Sequence, residues 1–100
     1  MSILKNKSDD GKTLTIFLPE KFDFQLHRDF RDSYEPEKEI KTTILDMHKT
    51  SYMDSSALGM LLQLKEHADK NKSNLSIKNV SKNIMEIMQI AHFDKIFTIG

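Results

Sequence analysis

Residues 40–71 read IKTTILDMHKTSYMDSSALGMLLQLKEHADKN, and they predict a buried strand followed by an amphipathic helix. Residues 40–47 are rich in β-branched and apolar side chains and contain no turn residue. Because apolar and polar residues do not strictly alternate in this run, it indicates a central strand that is covered on both faces. Residues 48–53 are expected to be a connecting loop.

The helix is predicted to begin after Asp54 and to extend to about Asn71. Four small or apolar residues recur on one face of this helix, at Ala57, Leu61, Leu64 and Ala68. Leu58 and Leu62 are expected to widen this buried stripe.

On the N-terminal side, two strands and a helix precede this unit. An edge strand near Ile3 and Leu4 is expected to form a hairpin with residues 13–18 across the turn at residues 8–11. Leu14, Ile16 and Leu18 share one face of the second strand, with threonines opposite. Asp23 then caps a helix with a stripe of Leu26, Phe30 and Tyr34, and Pro36 ends it.

On the C-terminal side, a turn at residues 71–74 leads into a short strand over residues 75–78. Ser81 is predicted to cap a last helix, and residues 96–99 to form a final strand. The predicted order is β-β-α-β-α-β-α-β, which indicates an α/β fold with a small, mostly parallel or mixed sheet flanked by helices.

Composition limits the possible functions. The chain has 100 residues, which predicts a single domain over residues 1–100, and fifteen basic residues balance fifteen acidic ones. Zero net charge gives no reason to expect nucleic acid or a membrane surface as partner. The chain has no cysteine and no apolar leader, so we expect a cytoplasmic protein. Its four histidines have no metal-binding spacing, and no metal or other cofactor is expected.

The residues that carry most information are Asp54, Ser55 and Ser56, at the predicted helix N-terminus. One cap needs one side chain, so three polar residues exceed the structural need, although a plain cap is the commoner reading of such a cluster. Ala57 and Gly59 keep the first turn small enough for another protein to approach. Met60 lies off the main apolar stripe, and an exposed Met60 would suit a protein-binding surface.

Residues 51–59, SYMDSSALG, resemble the signature loop of STAS domains of the anti-sigma-factor antagonist type, and the resemblance extends from Leu14 to Ile99. It implies a non-enzymatic binding module whose unphosphorylated form binds a serine kinase with a histidine-kinase-like ATPase fold. Phosphorylation of Ser55, with Ser56 as the alternative, would abolish binding, and a PP2C-type phosphatase or response regulator would reverse it. The resemblance also places Asp23 and Asp54 near the partner surface, and the residues themselves make Ala57, Gly59 and Met60 further candidates for partner binding.

The chain departs from the family pattern at Ala57 and Glu20, where the family usually has glycine. Both departures concern partner identity more than fold. The amino-acid sequence at residues 22–24 and 55–60 is most similar to that of single-domain STAS regulators of gamma-proteobacteria, and this resemblance implies control of biofilm formation or motility.

Two alternatives remain open at this point. The first is a STAS-like scaffold or ligand-binding module that is never phosphorylated. The second is a small hydrolase with Ser55 as nucleophile, for which the chain lacks a Gly-x-Ser-x-Gly elbow.

Overall fold

The computed structural model describes residues 3–100 and contains a five-stranded sheet with three helices. The strands of this sheet are β1 (Leu4–Lys7), β2 (Thr13–Phe17), β4 (Thr42–Asp46), β6 (Asn74–Lys78) and β7 (Thr98–Ile99). They lie in the order β1-β2-β4-β6-β7, with β1 antiparallel to β2 and the other neighbours parallel. The α/β prediction and the hairpin are therefore confirmed, with Gly11 at a φ of 73° in the hairpin turn.

The helices are α1 (His27–Tyr34), α2 (Ser55–Lys70) and α3 (Lys82–Ile90), and short 3-10 turns precede α1 and follow α3. Apolar residues of all three helices are buried in one core, which includes Phe30, Leu61, Leu64, Ile84 and Met88. Tyr34 is the last residue of α1, as expected from Pro36.

The central strand β4 differs from the prediction in one respect. It lies in the middle of the sheet, but Thr43 and Leu45 are buried, whereas Thr42, Ile44 and Asp46 are only partly buried. One face therefore carries the core, and complete cover of both faces was a wrong expectation. β-branched residues are favoured on a half-buried pleated surface, which explains the misleading composition of this strand.

Two further strands were not predicted. β3 (Lys21–Phe22) and β5 (Tyr52–Met53) form a separate two-stranded parallel ladder, in which Lys21 pairs with Tyr52 and Phe22 with Met53. The segment between β4 and α2 is thus not purely a loop. The final strand β7 is also shorter than predicted, because the N–H groups of Ile96 and Phe97 both donate to Phe93 O in the turn that precedes it.

Candidate functional site

The small ladder brings two helix N-termini together at the ends of β2 and β4. Asp23 and Asp54 directly follow the paired residues Phe22 and Met53, so the ladder brings both aspartates to the same end of these two strands. Each is an N-cap: Asp23 Oδ1 accepts from Gln25 N at 3.0 Å, and Asp54 Oδ1 accepts from Ala57 N at 2.9 Å. The sequence predicted both caps but not their pairing.

Three sets of hydrogen bonds fix the segment that carries this site. Thr50 is buried and donates from Oγ1 to Pro19 O at 2.9 Å. The backbone N–H groups of Ser51 and Tyr52 both donate to Glu20 O. These bonds attach the segment after β4 to the segment after β2, and so position the beginning of α2.

The third attachment comes from the far side of the segment. Asn83, in the first turn of α3, donates from Nδ2 to Ser51 O at 3.0 Å. At the end of β4, Asp46 accepts from His48 N and Asn79 Nδ2 and contacts His48 Nδ1 at 2.8 Å. Partial burial raises the pKa of Asp46, but these hydrogen bonds outweigh burial and hold the pKa of this carboxyl below its ordinary value.

Ser55 and Ser56 are both exposed at the first turn of α2. Asp54 already caps the helix, and within residues 3–100 neither serine hydroxyl has a hydrogen-bond partner in the structure. Free first-turn N–H groups and the helix dipole give this position a partial positive charge. Both hydroxyls are therefore accessible to a modifying enzyme, at a position where added negative charge is tolerated.

Ser55 and Gly59 lie on the same outward face of α2, because they are four residues apart. An added Cβ at Gly59 would meet nothing within 4 Å, although glycine inside a helix costs about 1 kcal/mol relative to alanine. Packing within the described chain therefore does not account for this glycine. Space for a partner remains the explanation offered from the sequence.

Two residues predicted for the partner surface are in the core, and the burial of Ala57 agrees with its place in the predicted apolar stripe. Ala57 has 0% and Met60 5% of its surface exposed, so neither side chain is presented to a partner. Conversely, Leu62 is 45% exposed rather than part of the buried stripe. At 3.6 residues per turn Met60 lies beside the stripe, whereas Leu62 falls on the outward face with Ser55 and Gly59, so the helical period itself places Leu62 outside the core.

Sequence reasoning missed two aromatic residues at the site. Phe24 and Tyr52 are 57% and 50% exposed, next to the two capping aspartates. Phe24 is two residues from Leu26 and so lies outside the stripe of α1, a signal that was available in the sequence. The exposure of Tyr52 depends on the β3–β5 ladder, which periodicity does not reveal.

The structure gives little support to the hydrolase alternative. In the described part of the chain, no histidine is hydrogen bonded to Ser55 or Ser56, and His48 and His27 contact Asp46 and Phe24 O instead. Residues 3–100 also contain no group of three or more histidine and carboxylate side chains placed to hold a metal ion. A polar cleft of about 430 Å³ does exist between α1 and α2, lined by Arg31 and His67 among others.

No helix within residues 3–100 has the length and apolar character needed to cross a membrane.

Comparison with known proteins connects this geometry to one family. The STAS domain family model matches residues 5–100. A STAS-domain containing protein of Pseudomonas aeruginosa strain UCBPP-PA14 is 40% identical over 104 residues, covering 100% of both chains.

Solved structures share the fold at low sequence identity. The anti-sigma factor antagonist SpoIIAA in its unphosphorylated form superimposes with a TM-score of 0.83 and 17% identity, over 99% of this chain and 88% of that chain. A sulfate transporter family protein from Wolinella succinogenes gives a TM-score of 0.77 and 17% identity, over 90% and 79% of the two chains. The fold is therefore found both in antagonists and in a transporter-family protein.

Proposed function

The chain belongs to the STAS domain family, and from that premise we propose that it is a single-domain regulator of the anti-sigma-factor antagonist type. It acts by binding and not as an enzyme. Its unphosphorylated form binds a serine kinase in the cytoplasm, and phosphorylation of Ser55 ends that binding. A PP2C-type phosphatase or response regulator restores it, in a partner-switching pathway that controls transcription, biofilm formation or motility.

One observation carries this proposal: Ser55 is exposed at a helix that Asp54 already caps. The hydroxyl therefore has no structural task in the described chain. SpoIIAA, which shares the fold, has been solved in both an unphosphorylated and a phosphorylated form, and this supports phosphorylation as the task. Ser55 is favoured over Ser56 because the resemblance to the family implies modification of the serine directly after the motif aspartate, which is Asp54 here.

Charge at one position then acts as the switch. A phosphate adds about −1.5 to −2 charges, and the helix N-terminus favours this charge in the free protein, so the domain stays folded. In a complex the same phosphate loses water beside two aspartates, and desolvation of an uncompensated charge costs several kcal/mol. A cost of about 4 kcal/mol lowers affinity roughly a thousandfold.

The first experiment is intact-protein mass spectrometry, with fragment mapping, on the chain purified from its native host with and without the phosphatase. One added phosphate on Ser55 is expected, and its fraction should rise when the phosphatase is deleted. A phosphate on Ser56 would move the switch to the neighbouring residue. An unmodified chain in both strains would contradict the proposal and favour the scaffold or ligand-binding alternative.

Binding by substituted chains tests the electrostatic step. Ser55→Ala should bind the kinase constitutively, and Ser55→Asp should bind poorly. Ser56→Ala and Ser56→Asp are the matched controls, because Ser56 is exposed like Ser55 and lies in the same helical turn. Equal affinity of Ser55→Ala and Ser55→Asp would refute exclusion by charge.

A further inference from the structure

The polar cleft between α1 and α2 lies at the far end of α2 from Ser55. Its volume is about 430 Å³, which is within the range of sites that hold small ligands. Lys70 lines this cleft at the end of the 16-residue helix, so it lies about 22 Å from Ser55 along the helix axis. A ligand held there would be independent of the proposed switch at Ser55.

Tyr34 contributes a hydroxyl without a protein partner to the lining of the cleft. Only 4% of the Tyr34 surface is exposed. Within residues 3–100 its hydroxyl forms no hydrogen bond, yet no fully buried side-chain oxygen or nitrogen there lacks a partner. The hydroxyl is therefore the part of Tyr34 that reaches the cleft. Burial raises the pKa of this hydroxyl, so it stays a neutral O–H donor at neutral pH.

The Tyr34 ring is fixed before any ligand arrives. It packs between Phe30 and His67, with ring centroids 5.4 Å and 5.0 Å away. His67 is itself held, because its Nε2 lies 3.2 Å from the carbonyl oxygen of Glu37. A donor that is already ordered loses little conformational entropy when it binds a ligand.

The charges around the cleft do not cancel. Five side chains of fixed charge line it, namely Arg31, Glu35, Lys38, Glu66 and Lys70. Arg31 and Glu35 compensate each other, with Nε 2.6 Å from Oε2. Within the described chain Lys38, Lys70 and Glu66 form no salt bridge. Two ammonium groups and one carboxylate are therefore uncompensated.

Helix geometry explains the lysines of the cleft but not its carboxylate. The partial negative charge at the C-terminus of α2 favours Lys70 and disfavours Glu66. Lys70 lies four residues after Glu66, which is the usual spacing of an ion pair on a helix. Lys65 and Asp69 form such a pair at 3.1 Å with this same spacing, whereas among the described residues Glu66 has none.

We propose that this cleft binds an acidic amino acid, L-glutamate or L-aspartate, whose two carboxylates meet Lys38 and Lys70 and whose ammonium group meets Glu66. Two carboxylates and one ammonium group are the exact inverse of the uncompensated charges of the cleft. The Tyr34 hydroxyl donates to one carboxylate of the ligand. The C-terminal ends of α1 and α2 both lie at the cleft, and their partial negative charge favours the ammonium group.

Other classes of small ligand match the cleft less well. An inorganic phosphate would meet both lysines but would be repelled by Glu66 and by the two helix C-termini. A polyamine would meet Glu66 but would be repelled by Lys38 and Lys70. Only a ligand that carries both signs of charge, with one more negative than positive group, compensates the whole cleft.

The test is titration of the ¹⁵N-labelled full chain with L-glutamate, followed by NMR and by calorimetry at low salt. A Kd of about 0.1–1 mM is expected, with amide shifts concentrated at residues 34–38 and 66–70. L-glutamine lacks the second carboxylate, and glutarate lacks the ammonium group. Each should bind about 5-fold to 10-fold more weakly than L-glutamate.

Four substituted chains assign the contacts. Lys70→Gln should weaken both L-glutamate and glutarate, and Tyr34→Phe should do the same by about 5-fold to 10-fold. Glu66→Gln should weaken L-glutamate but not glutarate, because glutarate has no ammonium group to lose a partner. Lys82→Gln is the matched control, since Lys82 is an exposed lysine on α3 outside the cleft, and it should change neither affinity.

Several results would overturn the site. These are the lack of saturable binding at millimolar L-glutamate, shifts spread evenly over the surface, or equal affinity for L-glutamate, L-glutamine and glutarate. An equal loss of L-glutamate and glutarate binding in Glu66→Gln would overturn the contact with the ammonium group. These titrations use the unphosphorylated chain without a kinase, so their failure would leave the proposed switch at Ser55 untouched.

Discussion

Gly59→Ala should raise the free energy of unfolding and at the same time weaken binding of the partner kinase. An alanine Cβ at this position meets nothing within 4 Å, so the substitution has no steric cost in the free protein. Glycine costs about 0.8–1.0 kcal/mol relative to alanine inside a helix. We therefore expect the free energy of unfolding to rise by about that amount, and Tm by roughly 4–8 °C.

Binding should change in the opposite direction. If the partner packs closely against α2 at Gly59, the new methyl group overpacks the interface, at a cost of about 1–3 kcal/mol. That cost corresponds to a loss of roughly 5-fold to 150-fold in affinity for the kinase. The expected result is a more stable protein that binds less well.

Urea denaturation followed by far-UV circular dichroism measures the first effect, and calorimetric titration with the purified kinase measures the second. Gln63→Ala is the matched control, because Gln63 is exposed on α2 and glutamine and alanine have similar helix propensities. Unchanged stability would show that the fold itself uses Gly59. Increased stability with unchanged affinity would refute close approach of the partner.

Three further substitutions test the structure that positions the site. Thr50→Val removes the hydrogen bond to Pro19 O and should lower stability by about 1 kcal/mol in urea denaturation, whereas Thr50→Ser should retain it; equal stability of the two would refute the attachment. Asp54→Ala should cost about 1 kcal/mol by loss of the cap on Ala57 N, and Asp54→Asn very little, when both are compared by thermal unfolding; an equal loss in both variants would contradict the cap. Hydrogen bonds from two lysines of β1 hold the pKa of Glu37 below its ordinary value. The ion pairs of Glu37 therefore contribute fully to the free energy of unfolding above about pH 4.3, and this contribution is lost as the pH falls through the lower pKa of the folded state. Glu37→Gln should therefore weaken the dependence of stability on pH in that acid range, and an unchanged pH profile would refute the contribution.

The order of strands and helices could be predicted from the sequence because each signal is local. Each of these signals involves residues only a few positions apart along the chain. They are the strand alternation in β2, the helical stripes such as Leu26 with Phe30 or Leu61 with Leu64, and the capping side chains. The same locality explains why Asp54 and Ser55 could be predicted to lie at a helix N-terminus. A cap and an accessible hydroxyl are properties of one helical turn.

The surroundings of Ser55 and Ser56 were decided by tertiary structure. Strands of two residues have no periodicity to detect, so the pairing of β3 with β5, and with it the meeting of Asp23 and Asp54, could not be predicted. Met60 lies at the margin of a stripe, where the neighbouring elements and not the helix determine burial. The sequence by itself determined which turn of which helix carries the serines, whereas long-range packing determined which side chains surround them, because burial depends on residues that are distant along the chain.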